Sequence, residues 1–134
     1  MSNFVSEKNE IKKIFKDSIR VKKEILHNKS IDRIFEIADV CTKSIINGNK
    51  ILFCGNGGSA ADAQHLTAEL LIRLRPCINR QGLRALSLLQ DTSTITACGN
   101  DFGFDQVFER QLKTLGESDD VLIAISTSGN SQNI

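Results

Sequence analysis

The chain has 134 residues, 40% of them apolar and 25% charged, with a net charge of +1. That length supports one domain with a core of its own, and the near-neutral balance argues against a general role on nucleic acid. No apolar run approaches the roughly 18 residues of a membrane span, and the N-terminus lacks the apolar core of a signal peptide.

Charge is unevenly spread. Residues 1–30 hold eight Lys/Arg against four Asp/Glu, and the remainder holds nine against twelve. The basic end reads as the solvated face of a helix. The cysteines are Cys41, Cys54, Cys77 and Cys98. None forms a C-x-x-C pair, which argues against a zinc knuckle or redox motif. A reducing, cytoplasmic location is expected.

Residues 4–27 read as an amphipathic helix, with Ile11, Ile14, Phe15, Ile19 and Ile25 forming an apolar stripe between lysines. A second helix is expected from Ser30, as N-cap, to Asn47, with Ile31, Ile34, Phe35, Ala38, Cys41 and Ile45 on one face and Gly48 as its stop. These two stripes need cover, one from the sheet and the other from a neighbouring subunit. Ile51 to Cys54 is a short apolar run typical of a strand buried on both faces. Gly55 to Gly58 then make a turn, and Ser59 is the expected N-cap of a helix reaching about Arg73. Pro76 falls in the following loop. Leu83–Leu89 reads as a second strand, Asp91–Thr94 as a short helical turn and Gly99–Gly103 as a polar loop. A helix over Phe104–Leu115 carries Val107, Phe108, Leu112 and Leu115 inward, and Asp120–Ile125 forms a third strand. This β-α-β-α-β rhythm predicts an α/β fold with a parallel sheet flanked by helices, preceded by two N-terminal helices.

The chemistry concentrates after the first strand. The first N–H groups of the helix that follows lack partners within it and sit at its positive end, where an anion such as phosphate binds. The third strand runs into a second hydroxyl-rich loop, Ser126-Thr127-Ser128-Gly129-Asn130-Ser131. In an open α/β sheet ligands bind beyond the carboxyl ends of the strands, so the two loops together mark a site. His65 and Glu69 are four residues apart and share a helix face. They suit either a metal pair or a general base beside a carbonyl. Dinucleotide binding is a rival, because Gly55-Asn56-Gly57-Gly58-Ser59-Ala60 satisfies G-x-G-x-x-A. Its acidic partner is lacking at the required place: Asp91 lies 31 residues beyond Ala60, against about 20 in the fingerprint.

Taken together, Cys54-Gly-Asn-Gly-Gly-Ser-Ala-Ala-Asp-Ala-Gln-His65, Asp91-Thr-Ser, Gly99-Asn-Asp101 and Ile125-Ser-Thr-Ser-Gly-Asn-Ser131 closely resemble the phosphoheptose isomerases, which are sugar isomerase (SIS) domain proteins. The resemblance implies a SIS-type, flavodoxin-like sheet. It implies one domain, 1–134, with a helical pair at 1–48 for oligomerisation and a sugar-phosphate-binding core at 49–134. It also implies interconversion of sedoheptulose 7-phosphate and D-glycero-D-manno-heptose 7-phosphate for bacterial surface sugars, in a cytoplasmic homotetramer with active sites between subunits and one zinc ion each. Carried onto this sequence, Asn56, Gly57 and Gly58 line the substrate site. Ser59, Ser126, Thr127, Ser128 and Ser131 hold the phosphate or nearby sugar oxygens, and Asn100 and Asp101 contact the sugar. His65 is a metal ligand, and Glu69 is both ligand and proton-transfer base through an enediol. The family continues beyond the position of Ile134 with further strands, a Gln and a His that complete the metal site, and the catalytic acid. No residue here matches those, so this chain is expected to lack the C-terminal part. The alternative is a non-catalytic SIS-domain protein that binds a sugar phosphate or a protein partner such as a replication initiator; such a scaffold has no need of Glu69.

Overall fold

The computed structural model describes residues 2–134. Five α-helices and three strands follow one another as α1 (Ser2–His27), α2 (Ser30–Ile46), β1 (Ile51–Gly55), α3 (Gly58–Leu71), β2 (Ala85–Ser87), α4 (Thr92–Asp101), α5 (Val107–Leu115) and β3 (Val121–Ile125), with a 3-10 turn at Phe104–Gln106 before α5. The chain divides into two compact units, one running to Asp39 and the other spanning Val40–Ile134.

The first unit holds α1 and the start of α2. Ser30 does not cap α2 but lies within it; the Asn28 carboxamide accepts the Ser30 N–H at 2.8 Å. Many apolar residues of this unit are exposed: Ile14 is 64% exposed, Phe15 66% and Phe35 76%. Ion pairs such as Arg20 with Glu24 and Arg33 with Glu36 are exposed here and of the kind that adds little stability.

The second unit is built around β1. The sheet order is β2-β1-β3 and both pairings are parallel, with Ile51 beside Ala85 and Val121, and Gly55 beside Ile125. All five residues of β1 are buried. Because successive side chains point to opposite faces, β1 feeds two cores. Leu52 and Cys54 pack with Leu88, Cys98, Val107 and Phe108 on the α4–α5 face. Ile51 and Phe53 pack with Ala63 of α3 and with Cys41 and Ile45 from the last turns of α2 on the other. Helices on both faces explain why β1 reads as an unbroken apolar run rather than an alternating one. β3 is covered on one face only: Val121, Ile123 and Ile125 join the α3 core, whereas Leu122 is 38% exposed. Among the described residues no strand pairs with the outer edge of β3.

Several boundaries depart from the sequence expectation for identifiable reasons. The helix after β1 starts at Gly58, with Gly57 as N-cap at φ 54°, so Ser59 lies in its first turn. It ends at Leu71 because the Arg80 guanidinium takes the carbonyls of Glu69 (2.7 Å) and Leu70 (2.8 Å). β2 is shorter than Leu83–Leu89, since the Ser87 hydroxyl accepts the Leu89 N–H and turns the chain, although Leu88 still donates to the Phe53 carbonyl at 2.9 Å. The expected short turn at Asp91–Thr94 is the start of a ten-residue helix that takes in Gly99, Asn100 and Asp101. Its β-branched and glycine-bearing sequence is a poor helix former. The Asp91 carboxylate offsets that by accepting the Ser93 and Thr94 N–H groups, a strong N-cap. Leu115, expected inward, is 42% exposed at the end of α5.

One ion pair ties the strand entrances together. Lys50 Nζ lies 2.7 Å from Asp120 Oδ2, with side-chain exposures of 14% and 4%. Asp120 also accepts the backbone N–H groups of Lys50 and Glu117, both at 2.8 Å. Burial pushes the Asp120 carboxyl up, but the hydrogen bonds from Lys50 and the Glu117 N–H outweigh it and hold the group below its ordinary range. The hydrogen bond to Asp120 likewise raises Lys50. A lowered carboxyl contributes stability that is present above its unfolded pKa of about 3.9 and is lost as pH falls through the lower folded value. Asp120→Ala is therefore expected to reduce unfolding free energy by about 3 kcal/mol in urea titrations at pH 7. Asp120→Asn should flatten the acid-side decline below about pH 4; an unchanged acid limb would contradict the assignment.

Candidate active site

The order β2-β1-β3 places a switch point between β1 and β3, because the chain leaves β1 toward one side and returns on the other. Ligands in open α/β sheets bind outside the carboxyl ends of the strands at such a point. Here those ends are the glycine turn after β1 and the serine loop after β3.

The turn is sterically fixed. A Cβ on Gly55 would sit 2.5 Å from the Ser59 carbonyl oxygen, so β1 runs directly against the first turn of α3. Gly57 at φ 54° makes the reversal in a region that favours glycine. The Ala60 and Ala61 N–H groups are taken by carbonyls of Asn56 and Gly57. No side chain caps α3, so its leading N–H groups remain open at the positive end of the dipole. The N-terminus of α4 is the opposite case, closed by its own Asp91 carboxylate, which the Thr94 hydroxyl and then the Ser93 and Thr94 N–H groups hold below its ordinary range. This cap also accounts for Asp91 without any ribose contact.

Across the switch point the serine loop folds on itself. Ser126 Oγ accepts the Gly129 N–H at 3.1 Å and lies 3.4 Å from Ser131 Oγ, and Ser128 Oγ accepts the Asn130 N–H at 3.2 Å. Thr127 and Ser128 are exposed, and Ser59 is buried at 7% exposure. The two loops are joined by a reciprocal amide pair: Asn56 Nδ2 donates to Asn133 Oδ1 at 2.8 Å, and Asn133 Nδ2 donates to Asn56 Oδ1 at 3.0 Å. Asn133 was not among the residues singled out from sequence, although it follows Ser131 by two positions.

His65 and Glu69 share a face of α3, with Nε2 and Oε1 3.5 Å apart. The imidazole side chain is 71% exposed and the carboxylate 25%. Both line a groove of about 710 Å³ whose walls include Cys41, Ile45, Phe53 and Arg80. Glu69 follows Gly58 by eleven residues along α3, about 16 Å at 1.5 Å per residue. Asn100 and Asp101 lie elsewhere, exposed at the end of α4 and bonded to each other at 2.8 Å. Asp101 borders a separate groove with Ser87, Asp91 and Arg110. The structure thus brings Asn56 to the loop of Ser126 and Ser131. Glu69 and Asp101 border two different grooves, neither of which is lined by Asn56 or the serine loop. Among the described residues no three His, Cys, Asp or Glu side chains converge as a metal site. His65 and Glu69 amount to half of a four-coordinate shell.

Sequence and fold both have known counterparts. The family model for the SIS domain matches residues 14–134. The phosphoheptose isomerase of Akkermansia muciniphila is 54% identical over 101 residues, covering 75% of this chain and 52% of the relative. That of Paramagnetospirillum magneticum is 56% identical over 98 residues, covering 73% and 50%. Two solved structures are similar. Phosphoheptose isomerase from Neisseria gonorrhoeae has a TM-score of 0.82 and 44% identity, over 94% of this chain and 64% of its own. The corresponding figures for a phosphoheptose isomerase from Francisella tularensis are 0.86, 41%, 93% and 64%. The chain spans about half the length of the curated relatives it matches. No described helix is long and apolar enough to cross a membrane. With its parallel sheet, its helices on both faces and its glycine turn at the switch point, the chain belongs to the SIS domain family.

Proposed function

We propose that the protein carrying this chain is a cytoplasmic aldose–ketose isomerase acting on a phosphorylated seven-carbon sugar, sedoheptulose 7-phosphate, to supply heptose phosphate for a bacterial surface polysaccharide. One observation carries the reading. The uncapped N-terminus of α3 faces a hydroxyl loop at the sheet's switch point, and the same helix presents an imidazole and a carboxylate farther along. The anion site fixes the ester end of the substrate through Gly57, Gly58 and Ser59 with Ser126, Thr127, Ser128 and Ser131. Glu69 removes a proton from the carbon beside the carbonyl while the carbonyl oxygen takes up a proton, giving an enediol; Glu69 then returns its proton to the former carbonyl carbon as the neighbouring hydroxyl gives up its own, leaving the aldose. Its relatives' name, phosphoheptose isomerase, supports the substrate class.

Zinc fits as a partial site: His65 and Glu69 would hold it, with further donors from outside the described residues, and when bound it would polarise the carbonyl oxygen. Asn100 and Asp101 would contact the sugar. Glu69 and Asp101 border two grooves that the cradle loops do not line, which favours a site completed by a neighbouring subunit, and the exposed stripes of α1 and α2 favour a homotetramer.

Three measurements test this. Glu69→Gln in the full-length protein should lower turnover of sedoheptulose 7-phosphate by about 10²–10⁴-fold while substrate still binds; undiminished turnover would leave a binding role without proton transfer. Ser126→Ala combined with Ser128→Ala should weaken binding of the phosphorylated sugar about tenfold, and equal affinity of the wild type for phosphorylated and unphosphorylated sugars would refute the cradle. Phe15→Asp with Phe35→Asp should shift the protein to smaller species in sedimentation velocity, whereas an unaltered tetramer would show that these faces lie outside the interface.

A further inference from the structure

We infer that Asn133 is a positioning residue, whose amide pair with Asn56 holds the serine loop in register with the glycine turn so that both halves of the anion cradle face one ligand. The inference rests on the phosphosugar reading of that cradle. Asn56 directly follows β1, and Asn133 lies just past the loop that leaves β3. Their two hydrogen bonds, at 2.8 and 3.0 Å, use the carbonyl oxygen of each amide and one N–H of each. A reciprocal pair of this kind fixes both planes, since turning over either amide sets donor against donor and acceptor against acceptor. The bonds are partly buried, where a lost partner is more costly than at the surface.

Other anchors help define what the pair contributes. The Ile134 N–H donates to the Ser131 carbonyl at 3.1 Å, and the Ile134 side chain packs on the core of Leu52, Cys54 and Leu88. That contact fixes the turn against the sheet. The hydroxyl bonds of Ser126 and Ser128 are internal to the loop, so they shape it without setting its distance from α3. Among the side-chain hydrogen bonds of the described residues, the amide pair alone joins residues 126–134 to the glycine turn. It also changes what Asn56 offers a ligand: one N–H and one lone pair of its carbonyl oxygen are committed to Asn133, leaving backbone groups, the second N–H and the second lone pair.

The test uses the 134-residue chain with Asn56→Ala, Asn133→Ala, the double variant and Asn133→Ser. Each is checked by circular dichroism and thermal midpoint. Amide hydrogen exchange by NMR reads the loop without any ligand, and a phosphate titration, using inorganic phosphate and then sedoheptulose 7-phosphate, reads the site. The single variants are expected to speed exchange of the amides of residues 127–131 about tenfold, while the β1 amides keep their protection. Asn133→Ala should weaken phosphate binding about tenfold, and adding it to Asn56→Ala should cost nothing further. Additive losses, or loop exchange unchanged in a folded variant, would overturn the pairing role. If the alanine variants unfold, Asn133→Ser, which leaves the loop a hydroxyl but no reciprocal amide, decides by the same exchange measurement. Variants that show the exchange effect, beside a wild-type chain that binds neither phosphate probe, would sink the phosphosugar reading and leave the loop anchor standing.

Discussion

The architecture depends on one close approach. The last residue of β1 has to be glycine, because any side chain there would meet the Ser59 carbonyl oxygen at 2.5 Å. That contact turns the strand straight into the helix, with only Asn56 and Gly57 between β1 and α3. The buried strand end and the open helix start thereby become neighbours, and the field of the helix is delivered to the edge of the sheet rather than to solvent. Everything placed around the site follows from β1 being central: the strand on either side, the core on either face, and the loops that leave the sheet on the same side.

The two helix starts at that end of the sheet show how differently one feature can be used. α4 begins with Asp91, whose carboxylate takes the first N–H groups and fills the anion position from within the chain. α3 begins with Gly57, which supplies the turn and no acceptor. A self-satisfied start makes a stable helix out of a weak sequence. An unsatisfied start costs some helix stability and leaves donors for a ligand. The same logic explains the other end of α3, where Arg80 satisfies the carbonyls of Glu69 and Leu70 and fixes the turn that bears the carboxylate.

Much of this was legible in the sequence, and the rest was not for physical reasons. β1 could be read because burial on both faces leaves an uninterrupted apolar run. The glycine turn could be read because only glycine tolerates its geometry. α4 could not: its Thr, Ser and Gly residues argue against a helix, and the capping and packing that override them are tertiary. Asn133 escaped notice because a reciprocal amide pair joins residues 77 positions apart, and nothing local marks Asn133 as a partner of Asn56. That Asp101 borders a groove with Ser87, Asp91 and Arg110 was equally invisible, since motif spacing carries no information about which groove a side chain borders. The family resemblance correctly gave the SIS fold; it could not by itself show which of the motif residues meet within one chain.

The claim on which the account turns is that the start of α3 receives a phosphate ester. An NMR titration of the isotopically labelled chain with sedoheptulose 7-phosphate follows it residue by residue. The account predicts saturable shifts of the Gly57, Gly58 and Ser59 amides together with those of the Ser126–Ser131 loop, and none there with unphosphorylated sedoheptulose. Shifts confined to the groove of His65 and Glu69, with the α3 amides unmoved at saturation, would contradict it.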